Sequence, residues 1–398
     1  MGGPRGILAV LILTSAYQSL DGKLSGRQSD STSGLTWDSY YRSSEIEAFT
    51  RDLAKNNDQV KLLSLGYTYE RRPLLALKFS SKNKSKRSSK NPMNEKFLDS
   101  LKKIFKSGGQ MNNIKSDSLN ERILQTKLIS TSKQITKTKL EMEKKKKKKP
   151  VIMIEAGAHA REWISPAVGT YIAQQLADPA NSDLLKYATW VVVPLLNPDG
   201  YEYSHTDDRL WRKNRRINKD STGCPGVDLN RNFNIKWATT GSSSYHCSEI
   251  YHGTKAFSEK ETKAIKKLFK KIKNTKLYLS LHSYGQIILH PWGYTSDEPA
   301  GVGKLRKMGD AFANHISNNG GRNYAVEQAG VSYQSGGGAD DYAFSRGVPY
   351  SYTVELPDQG SDGFETPPEK ILGISQEIWT GLKCLLGDLV PDAKYLCH

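Results

Sequence analysis

The sequence predicts an α/β fold, with a mixed, mostly parallel central sheet and helices on both of its faces, as in an α/β/α sandwich. Two observations lead to this prediction. After residue 150, short apolar runs of strand length alternate with longer segments of helical periodicity. Polar residues follow several of these runs, which predicts a functional site at the carboxyl edge of the sheet. With 398 residues, of which 37% are hydrophobic, the chain can form one large domain or two ordinary ones.

The first folded part is predicted over residues 35–80. The segment SSEIEAFTRDLAKNN places its apolar residues on one side of a helix, and Ser43 or Ser44 is expected to cap that helix. The next segment, KLLSLGYTYERRPLLALKFS, predicts two strands around a turn at residues 70–73.

Strands and helices are predicted to alternate after residue 150. The predicted strands are VIMIEAG, TWVVVPLLN, KLYLSLHSYG and VPYSYTVEL, and the helices that follow them are SPAVGTYIAQQLAD, SEKETKAIKKLFKKI, VGKLRKMGDAFANHIS and EKILGISQEIWTGLKCLLGDL.

The positive charge of the chain is concentrated in one segment. Residues 82–149 hold 21 Lys and Arg against 6 Asp and Glu, a net charge of +15, so the rest of the chain carries only +2 of the total of +17. The segment is rich in Lys, Asn and Ser, and we predict that it is a largely disordered insertion. A basic globular surface that binds nucleic acid is therefore not expected.

Residues 1–20 are typical of a secretory signal peptide, because Arg5 precedes a short apolar run that small residues follow. This run is too short to cross a membrane. A secreted, extracellular chain reaches an oxidising compartment, in which its four cysteines can pair. Cys384 and Cys397 lie near the C-terminus and either form a bridge or remain free.

Two histidines and a glutamate at predicted strand ends indicate a metal site. In AGAHAREWISP, His159 and Glu162 are three residues apart where a strand gives way to a helix, and His282 ends the strand LYLSLHSYG. Two imidazoles and one carboxylate, with a fourth position open for water, are typical of catalytic zinc. A single histidine at a strand end is more often a core residue, so the prediction depends on the three residues together.

A zinc hydrolase also needs a general base and a positive group for the developing oxyanion. Glu355 ends the apolar strand VPYSYTVEL and is a candidate base, because partial burial raises the pKa of a carboxyl group. DDRLWRKNRR holds four arginines and VDLNRNFN holds Asn230 and Arg231, and arginine binds carboxylates through paired hydrogen bonds. We expect Arg215 and Arg216 to be solvated surface residues.

Six motifs in one order carry a family resemblance. HAREW, LWRKNRR, DLNRNF, LHSYGQ, SYQSGGGADDY and TVEL resemble those of the zinc metallocarboxypeptidases of the pancreatic carboxypeptidase A/B type, peptidase family M14, and carboxypeptidase B in particular. The resemblance covers residues 34–80 and 150–390. It implies one catalytic domain over residues 34–390. A short linker at residues 21–33 precedes this domain, and the insertion at residues 82–149 interrupts it.

The resemblance implies one zinc ion per chain and a role for each matching residue. Zinc would be held by His159, Glu162 and His282. A zinc-bound water would attack the C-terminal peptide bond, with Glu355 as general base and Arg212 stabilising the oxyanion. The other implied roles are binding of the terminal carboxylate by Asn230 and Arg231, closure over it by Tyr333, outer substrate contacts by Arg161, Arg209, Tyr284 and Phe364, and a disulfide between Cys224 and Cys247.

The stretch GGGADDY bears on specificity. By the resemblance, Asp340 lies at the floor of the pocket for the terminal side chain, where carboxypeptidases of the A type are apolar and those of the B type carry aspartate. A buried carboxylate there favours Lys or Arg, because an apolar side chain would leave the charge unpaired. The alternative is that Asp341 has a structural role and Asp340 merely accompanies it.

Three departures from the family are expected, and one of them is Pro357, which stands where relatives commonly have arginine. The resemblance begins almost directly after the predicted signal, without the inhibitory prosegment of the family, so we expect either that the enzyme is made active or that this chain is an incomplete reading of its gene. The insertion interrupts what is predicted to be a tight turn between two neighbouring strands, LLALKFS and VIMIEAG. The fold should tolerate it, because the entropy of loop closure changes slowly with length. Its lysine-rich composition resembles translated non-coding sequence more than a functional module.

The expected function is that of a secreted, monomeric exopeptidase that acts on peptide or protein C-termini, without nucleic acid or membrane partners. Three alternatives stay open. The first is the same chemistry with a preference for apolar or aromatic terminal residues, and the second is an inactive carboxypeptidase-like binding protein. The third is a polyanion-binding protein that acts through the lysine-rich segment, and its binding would depend strongly on salt.

Overall fold

The computed structural model describes residues 35–81, 149–218 and 223–397. The predicted signal peptide, the predicted linker and all of the predicted insertion except Lys149 lie outside these residues. The domain boundaries that depend on those segments stay predictions.

The described residues form α-helices and strands that we number in chain order. The helices are α1 (Ser43–Asn56), α2 (Ile164–Ala177), α3 (Leu184–Tyr187), α4 (Pro198–Thr206), α5 (Lys260–Lys271), α6 (Val302–Asn318), α7 (Ala329–Ser332), α8 (Ala339–Ser345) and α9 (Ile371–Leu389). The strands are β1 (Val60–Tyr67), β2 (Pro73–Phe79), β3 (Val151–Ala156), β4 (Thr189–Val193), β5 (Thr275–Ser283), β6 (Ile287–His290), β7 (Ala325–Gln328) and β8 (Tyr350–Leu356). Short 3-10 turns occur at Pro179–Asn181, Leu229–Arg231, Pro368–Lys370 and Pro391–Cys397.

One eight-stranded sheet runs through the described residues, in the order β1-β2-β4-β3-β5-β8-β6-β7. The four central strands, β4, β3, β5 and β8, are parallel to one another. Antiparallel pairings join β1 to β2, β2 to β4 and β6 to β8, and the edge strand β7 is parallel to β6. The predicted mixed sheet with a mostly parallel centre is confirmed.

Helices cover both faces of this sheet. The helices α1, α2, α6 and α9 pack on one face, where Phe49, Ile172 and Phe312 belong to one apolar core. The helices α5 and α8 pack on the other face, where Ile265 and Tyr342 belong to a second core. The predicted α/β/α arrangement is therefore confirmed.

Burial on both faces explains the composition of the central strands. In β3, Ile152 and Ile154 belong to one core and Val151 and Met153 to the other. Successive side chains of a strand point to opposite faces, so a strand that is covered on both sides has an uninterrupted apolar sequence. Glu155 is the polar exception in β3, and its side chain is buried as well.

The two strands that flank the insertion are not neighbours, so this part of the prediction was wrong. β4 lies between β2 and β3 and pairs with both. Sheet order depends on contacts distant in sequence, which a local pattern does not reveal. The described ends of the connection still meet: Lys149 Nζ donates to Ser81 Oγ at 2.6 Å, and both residues donate to the carbonyl oxygen of Leu185.

The first helix begins differently from the prediction. Its N-cap is Arg42, whose backbone N–H donates to the Glu45 carboxylate at 2.7 Å. The Ser43 hydroxyl does not cap the helix and donates instead to Glu202 on α4. Ser43 therefore joins two helices, which is a tertiary contact that the local sequence does not specify.

Two disulfides are present. The Cys224–Cys247 bridge, with Cα atoms 5.0 Å apart, closes the loop that contains residues 229–231. The Cys384–Cys397 bridge, with Cα atoms 4.2 Å apart, joins α9 to the final 3-10 turn. The second pair, which the sequence left open, is therefore bonded and not free.

We predict that the insertion is not needed for folding. Replacing residues 82–148 by a four-residue Gly-Ser linker should raise the free energy of unfolding by about 2 kcal/mol, because each halving of loop length recovers roughly 0.6 kcal/mol of closure entropy. The contact between Ser81 and Lys149 lets so short a linker reach. Guanidinium unfolding measures the change.

A chain that keeps the length of residues 82–148 but scrambles their order is the matched control, and it should unfold like the original chain. A shortened chain that is less stable than the original, or a scrambled chain that loses stability, would show that the segment makes specific contacts with the domain.

Candidate metal centre and substrate cavity

The carboxyl ends of parallel strands bring the predicted metal ligands together. His159 lies in the loop after β3, Glu162 lies two residues before α2, and His282 is the penultimate residue of β5. β3 pairs with β5, and β5 in turn pairs with β8, so that His282 stands beside Glu355 in the sheet. This edge is where open parallel sheets bind ligands.

The loop from β3 to α2 is held by Gly157 and Ser165. Gly157 has φ of +69°, and a Cβ atom there would lie 2.7 Å from a neighbouring side-chain carbon, so the turn needs glycine. The Gly157 N–H donates to Ser165 Oγ, and the Ser165 hydroxyl donates to the carbonyl oxygen of Leu281. One hydroxyl therefore fixes the loop that carries His159 against the strand that carries His282.

The three predicted ligands form a compact group. His159 Nδ1 lies 2.8 Å from Glu162 Oε1, His282 Nδ1 lies 2.9 Å from Glu162 Oε2, and the two Nδ1 atoms are 3.1 Å apart. All three residues are buried. Zn²⁺ binds imidazole and carboxylate tetrahedrally and keeps one position open in catalytic sites. The residues present therefore fit this metal, and we call them the metal group.

Each imidazole has a further partner on its other nitrogen. His159 Nε2 lies 3.0 Å from Asp228 Oδ1, and His282 Nε2 lies 3.1 Å from Ser280 Oγ. The ionised Asp228 carboxylate can only accept, so it keeps the ring proton of His159 on Nε2 and leaves Nδ1 free for a metal. Both rings turn Nδ1 toward the Glu162 carboxylate.

Asp228 connects the metal group to the predicted substrate-binding residues. Its Oδ2 accepts a hydrogen bond from Arg212 Nε at 3.1 Å and lies 3.0 Å from Arg212 Nη2 in an ion pair. Its Oδ1 accepts from the backbone N–H of Asn230 at 2.9 Å, which starts the 3-10 turn Leu229–Arg231. Arg212 Nη1 lies 3.8 Å from Glu162 Oε1. One buried carboxylate thus fixes a histidine, a guanidinium and a turn.

Charge pairing keeps the two buried carboxylates of this group ionised. Burial alone would raise the pKa of Glu162, but His159 and His282 hold it below its usual range. Burial would also raise the pKa of Asp228, but Arg212 and His159 hold it well below its usual range. Both carboxylates are therefore ready to act as acceptors at neutral pH.

The predicted base has a different environment. Glu355 is half-buried and lines the same cavity as the metal group. Burial raises the pKa of Glu355 to about 7, and repulsion from Glu162 adds to this effect, whereas attraction to His282 opposes it. A carboxyl group with a pKa near neutral can both accept a proton and return it.

A cavity of about 520 Å³ opens beside the metal group. Its lining includes His159 and Glu162 together with the predicted carboxylate clamp, Asn230 and Arg231. Arg231 Nε donates to the carbonyl oxygen of Gly241 at 2.8 Å, which fixes the guanidinium plane. The cavity therefore offers a positive group at a short distance from a metal site.

Tyr333 lines this cavity from an exposed position. Its side chain is 54% exposed, and its hydroxyl donates to the carbonyl oxygen of Gly241 at 3.2 Å. The guanidinium carbon of Arg231 lies 5.8 Å from the centre of the Tyr333 ring. The Tyr333 ring therefore lies on the exposed side of the cavity, beside Arg231.

The four predicted outer residues contact one another. The Arg161 guanidinium stacks on Phe364, 4.4 Å from the ring centre, and Tyr284 meets the same ring edge-on at 4.9 Å. Arg209 donates to the carbonyl oxygens of Arg161 and Phe364. Tyr284 and Phe364 line the cavity, and both arginines contact Phe364.

Asp340 and Asp341 lie side by side on α8 in different surroundings. Both oxygens of Asp341 accept from the Gly293 N–H, at 2.9 and 3.0 Å, so Asp341 has a structural contact. Asp340 is 5% exposed and lines the cavity, and its Oδ2 lacks a hydrogen-bond partner among the described residues. Burial raises the pKa of Asp340. A buried carboxylate oxygen without a partner is unfavourable until a ligand supplies a donor.

Some residues that support the site were not predicted from the sequence. Asp228 stands two residues before Asn230 and begins the motif DLNRNF. An aspartate so close to Asn230 and Arg231 could have been predicted to support them. Ser280 stands two residues before His282, and residues at this spacing share one face of a strand. The helices α7 and α8, with four and seven residues, were not predicted, because such short elements carry little periodicity.

The zinc carboxypeptidase family model matches residues 46–381 of this chain. The chain is 42% identical over 244 residues to carboxypeptidase B of Helicoverpa zea, which is 58% of this chain and 57% of that protein. It is 38% identical to carboxypeptidase B of Astacus astacus, over 61% of this chain and 82% of that protein. It is also 38% identical to carboxypeptidase A2 of Rattus norvegicus, over 62% of this chain and 60% of that protein.

Solved structures share the fold. One is bovine thrombin-activatable fibrinolysis inhibitor in complex with tick carboxypeptidase inhibitor, with a TM-score of 0.70 and 28% identity over 90% of this chain and 100% of that chain. Another is carboxypeptidase A from Helicoverpa armigera, with a TM-score of 0.69 and 28% identity over 93% of this chain and 77% of that chain. Since the family match extends over most of the sequence, the chain belongs to the zinc carboxypeptidases of peptidase family M14.

Proposed function

We propose that this chain is a zinc-dependent exopeptidase that hydrolyses the C-terminal peptide bond of substrates ending in Lys or Arg. The observation that carries this proposal is the unpaired Oδ2 of Asp340, in the cavity that also contains the metal group and the clamp residues Asn230 and Arg231. A terminal carboxylate at the clamp and a basic side chain at Asp340 would bring the last peptide bond to the metal group.

The relatives support carboxypeptidase activity, but they do not decide between basic and apolar terminal residues. Two of those named above are carboxypeptidases B, but a carboxypeptidase A2 is as similar to this chain as one of them, at 38% identity. The chain also spans only 57% of the Helicoverpa zea protein. The choice between the two types therefore depends on the pocket.

The chemical step is assigned to two residues beside the metal group. Zinc held there supplies Lewis-acid polarisation and makes water a nucleophile at neutral pH. Glu355 accepts a proton from the attacking water and returns it to the leaving amine. Arg212, which Asp228 holds in place, donates hydrogen bonds to the oxyanion as it develops.

Binding is assigned to the cavity wall. Arg231 and Asn230 bind the terminal carboxylate through charge-assisted hydrogen bonds, and the exposed Tyr333 closes over it. Asp340 receives the Lys or Arg side chain. A cation beside Asp340 favours its ionised form, which offsets the effect of burial on its pKa.

The other candidate functions fit the cavity less well. An apolar terminal side chain would leave Asp340 buried without a partner. An inactive binding protein would have no need for the metal group together with Glu355, all of which are present. Polyanion binding would rest on the lysine-rich segment, which lies outside the described residues.

We also propose that the chain is secreted and acts as a monomer on peptide or protein C-termini. The two disulfides support an oxidising, extracellular location. Among the described residues, no helix combines the length and the apolar character that crossing a membrane requires.

The specificity is tested with four matched peptides that end in Arg, Lys, Leu or Phe. We expect kcat/KM to be at least about 100-fold higher for the two basic termini, because an apolar side chain leaves a buried charge unpaired. Release of the terminal residue is followed by mass spectrometry. Faster release of Leu or Phe would keep the reaction and overturn the pocket assignment.

The pocket residue is tested by Asp340→Leu. The variant should lose about 100-fold in kcat/KM for the Arg peptide and gain activity on the Leu peptide, since it exchanges a buried charge for an apolar surface. The ratio of the two activities is an internal control for correct folding. Equal losses of kcat/KM on both peptides would indicate damage to the fold and not a change in specificity.

The general base is tested by Glu355→Gln, which keeps the shape of the side chain. We expect kcat to fall between about 100-fold and 10⁴-fold, because a positioned base contributes on this scale. Zinc content and KM should change little. Glu369→Gln, on the exposed turn Pro368–Lys370, is the control for removing a glutamate charge. A Glu355→Gln variant with nearly full activity would assign the proton transfer to another group.

A further inference from the structure

We propose that Asn214 is a positioning residue for Arg212, and that it acts through the chain segment that carries Asp228. The inference rests on the proposed function in one respect, because it takes Arg212 as the donor to the developing oxyanion. Asn214 stands two residues after Arg212 and is 1% exposed. Neither the family resemblance nor the reaction above gives Asn214 a role.

The chain segments that carry Arg212 and Asp228 pair with each other through their backbones. The Asn214 N–H donates to the carbonyl oxygen of Val227 at 3.1 Å. Val227 directly precedes Asp228, and the Asp228 carboxylate accepts a hydrogen bond from Arg212 Nε. The pairing of Asn214 with Val227 therefore helps to set how Arg212 faces Asp228.

The same two segments approach each other closely at Gly226. Gly226 has φ of +90°, and a Cβ atom there would lie 2.4 Å from the carbonyl oxygen of Asn214, so the position needs glycine. The Gly226 N–H donates to the carbonyl oxygen of Arg216 at 2.8 Å, which is a second backbone contact between the segments. The segments therefore have little room to shift past each other.

The side chain of Asn214 adds contacts on both of its polar atoms. Its Oδ1 accepts from the Val227 N–H at 2.9 Å. Its Nδ2 donates to Glu259 Oε2 at 2.8 Å and to Glu261 Oε2 at 3.2 Å, which its two hydrogens allow. Glu259 is the N-cap of α5, and Glu261 lies in its first turn. One amide thus joins the Arg212 segment to the Asp228 segment and both of them to a helix.

The buried N–H of Val227 depends on this amide. Val227 is fully buried, and Asn214 Oδ1 accepts the hydrogen of its N–H. A buried donor without a partner is unfavourable, so loss of Oδ1 favours a shift of Val227 toward another acceptor. Asp228 would move with Val227, and so would the guanidinium that Asp228 holds. Because a donor stabilises a transition state only when it is already in place, a small displacement lowers the rate.

A purely structural role for Asn214 is the competing explanation. Asn57 offers a control of the same chemistry, since its Oδ1 accepts from the Gln59 N–H at 2.9 Å and its Nδ2 donates to the carbonyl oxygen of Ala177 at 2.7 Å. Ala177 is the last residue of α2, at the opposite end of this helix from Glu162. If Asn214 only stabilises the fold, its loss should resemble the loss of Asn57.

The experiment compares two inhibitors on the purified, zinc-loaded full-length chain. A peptide phosphonate that ends in Arg mimics the transition state, because its tetrahedral anion takes the place of the oxyanion. Free arginine offers a carboxylate to the clamp and a side chain to Asp340, but it has no group in the place of the oxyanion.

We expect Asn214→Ala to lower kcat/KM for the Arg peptide by about 10-fold to 100-fold, since a misplaced group costs rate on this scale. The inhibition constant Ki of the phosphonate should rise by the same factor, because it reports binding of the transition state. The Ki of free arginine should stay within about twofold of its value in the original chain, because ground-state binding does not use the oxyanion donor.

The control Asn57→Ala should lower the free energy of unfolding and leave kcat/KM and both Ki values unchanged. A kcat/KM of Asn214→Ala within about twofold of the original, or an equal rise in the Ki of free arginine, would overturn the proposal. If Asn214→Ala does not fold, Asn214→Ser decides by the same criteria. Failure of both variants to fold would also overturn it, because Asn214 would then serve the fold as a whole.

The original chain separates this inference from the proposed function. An original chain that releases no terminal residue would contradict the proposed function. An active original chain, together with an unchanged Asn214→Ala variant, would contradict this inference alone.

Discussion

The catalytic edge of the sheet depends on the pairing of one buried carboxylate, Asp228, with Arg212 and His159. Asp228 is fully buried, and an ion in that position is tolerated only when its charge and its lone pairs are satisfied. Both of its oxygens are used, for a guanidinium, an imidazole and the backbone N–H of Asn230. The orientations of His159, of Arg212 and of the turn that carries Asn230 therefore share one cause, and a change at Asp228 would disturb all three together.

The parallel strands supply the second constraint. The strands β3, β5 and β8 are adjacent, so the groups at their carboxyl ends meet without a long loop. The metal group and Glu355 lie at the ends of central strands or in the adjoining loop, whereas the Tyr333 side chain is exposed. Asp340 and Asp341 lie on α8, where Asp341 is bonded to Gly293 and Asp340 is left with an unpaired oxygen beside the cavity.

The sequence predicted those parts of the molecule that have local causes. His282 and Glu355 stood out because they end apolar runs that are buried on both faces, and the same runs predicted the central sheet. The strand order was partly wrong, since the place of β4 between β2 and β3 depends on distant contacts. Asp228 and Ser280 were missed because their importance depends on what they touch.

The measurement that tests the central claim most directly is a zinc titration of the chelator-stripped chain, with release of C-terminal arginine followed at each addition. If the metal group of His159, Glu162 and His282 is the reaction centre, activity should rise in proportion to bound zinc and reach a plateau at one zinc ion per chain. A His282→Ala chain should show neither the binding nor the activity. Activity in the fully stripped chain, or stoichiometric zinc binding without any release of arginine, would contradict the account.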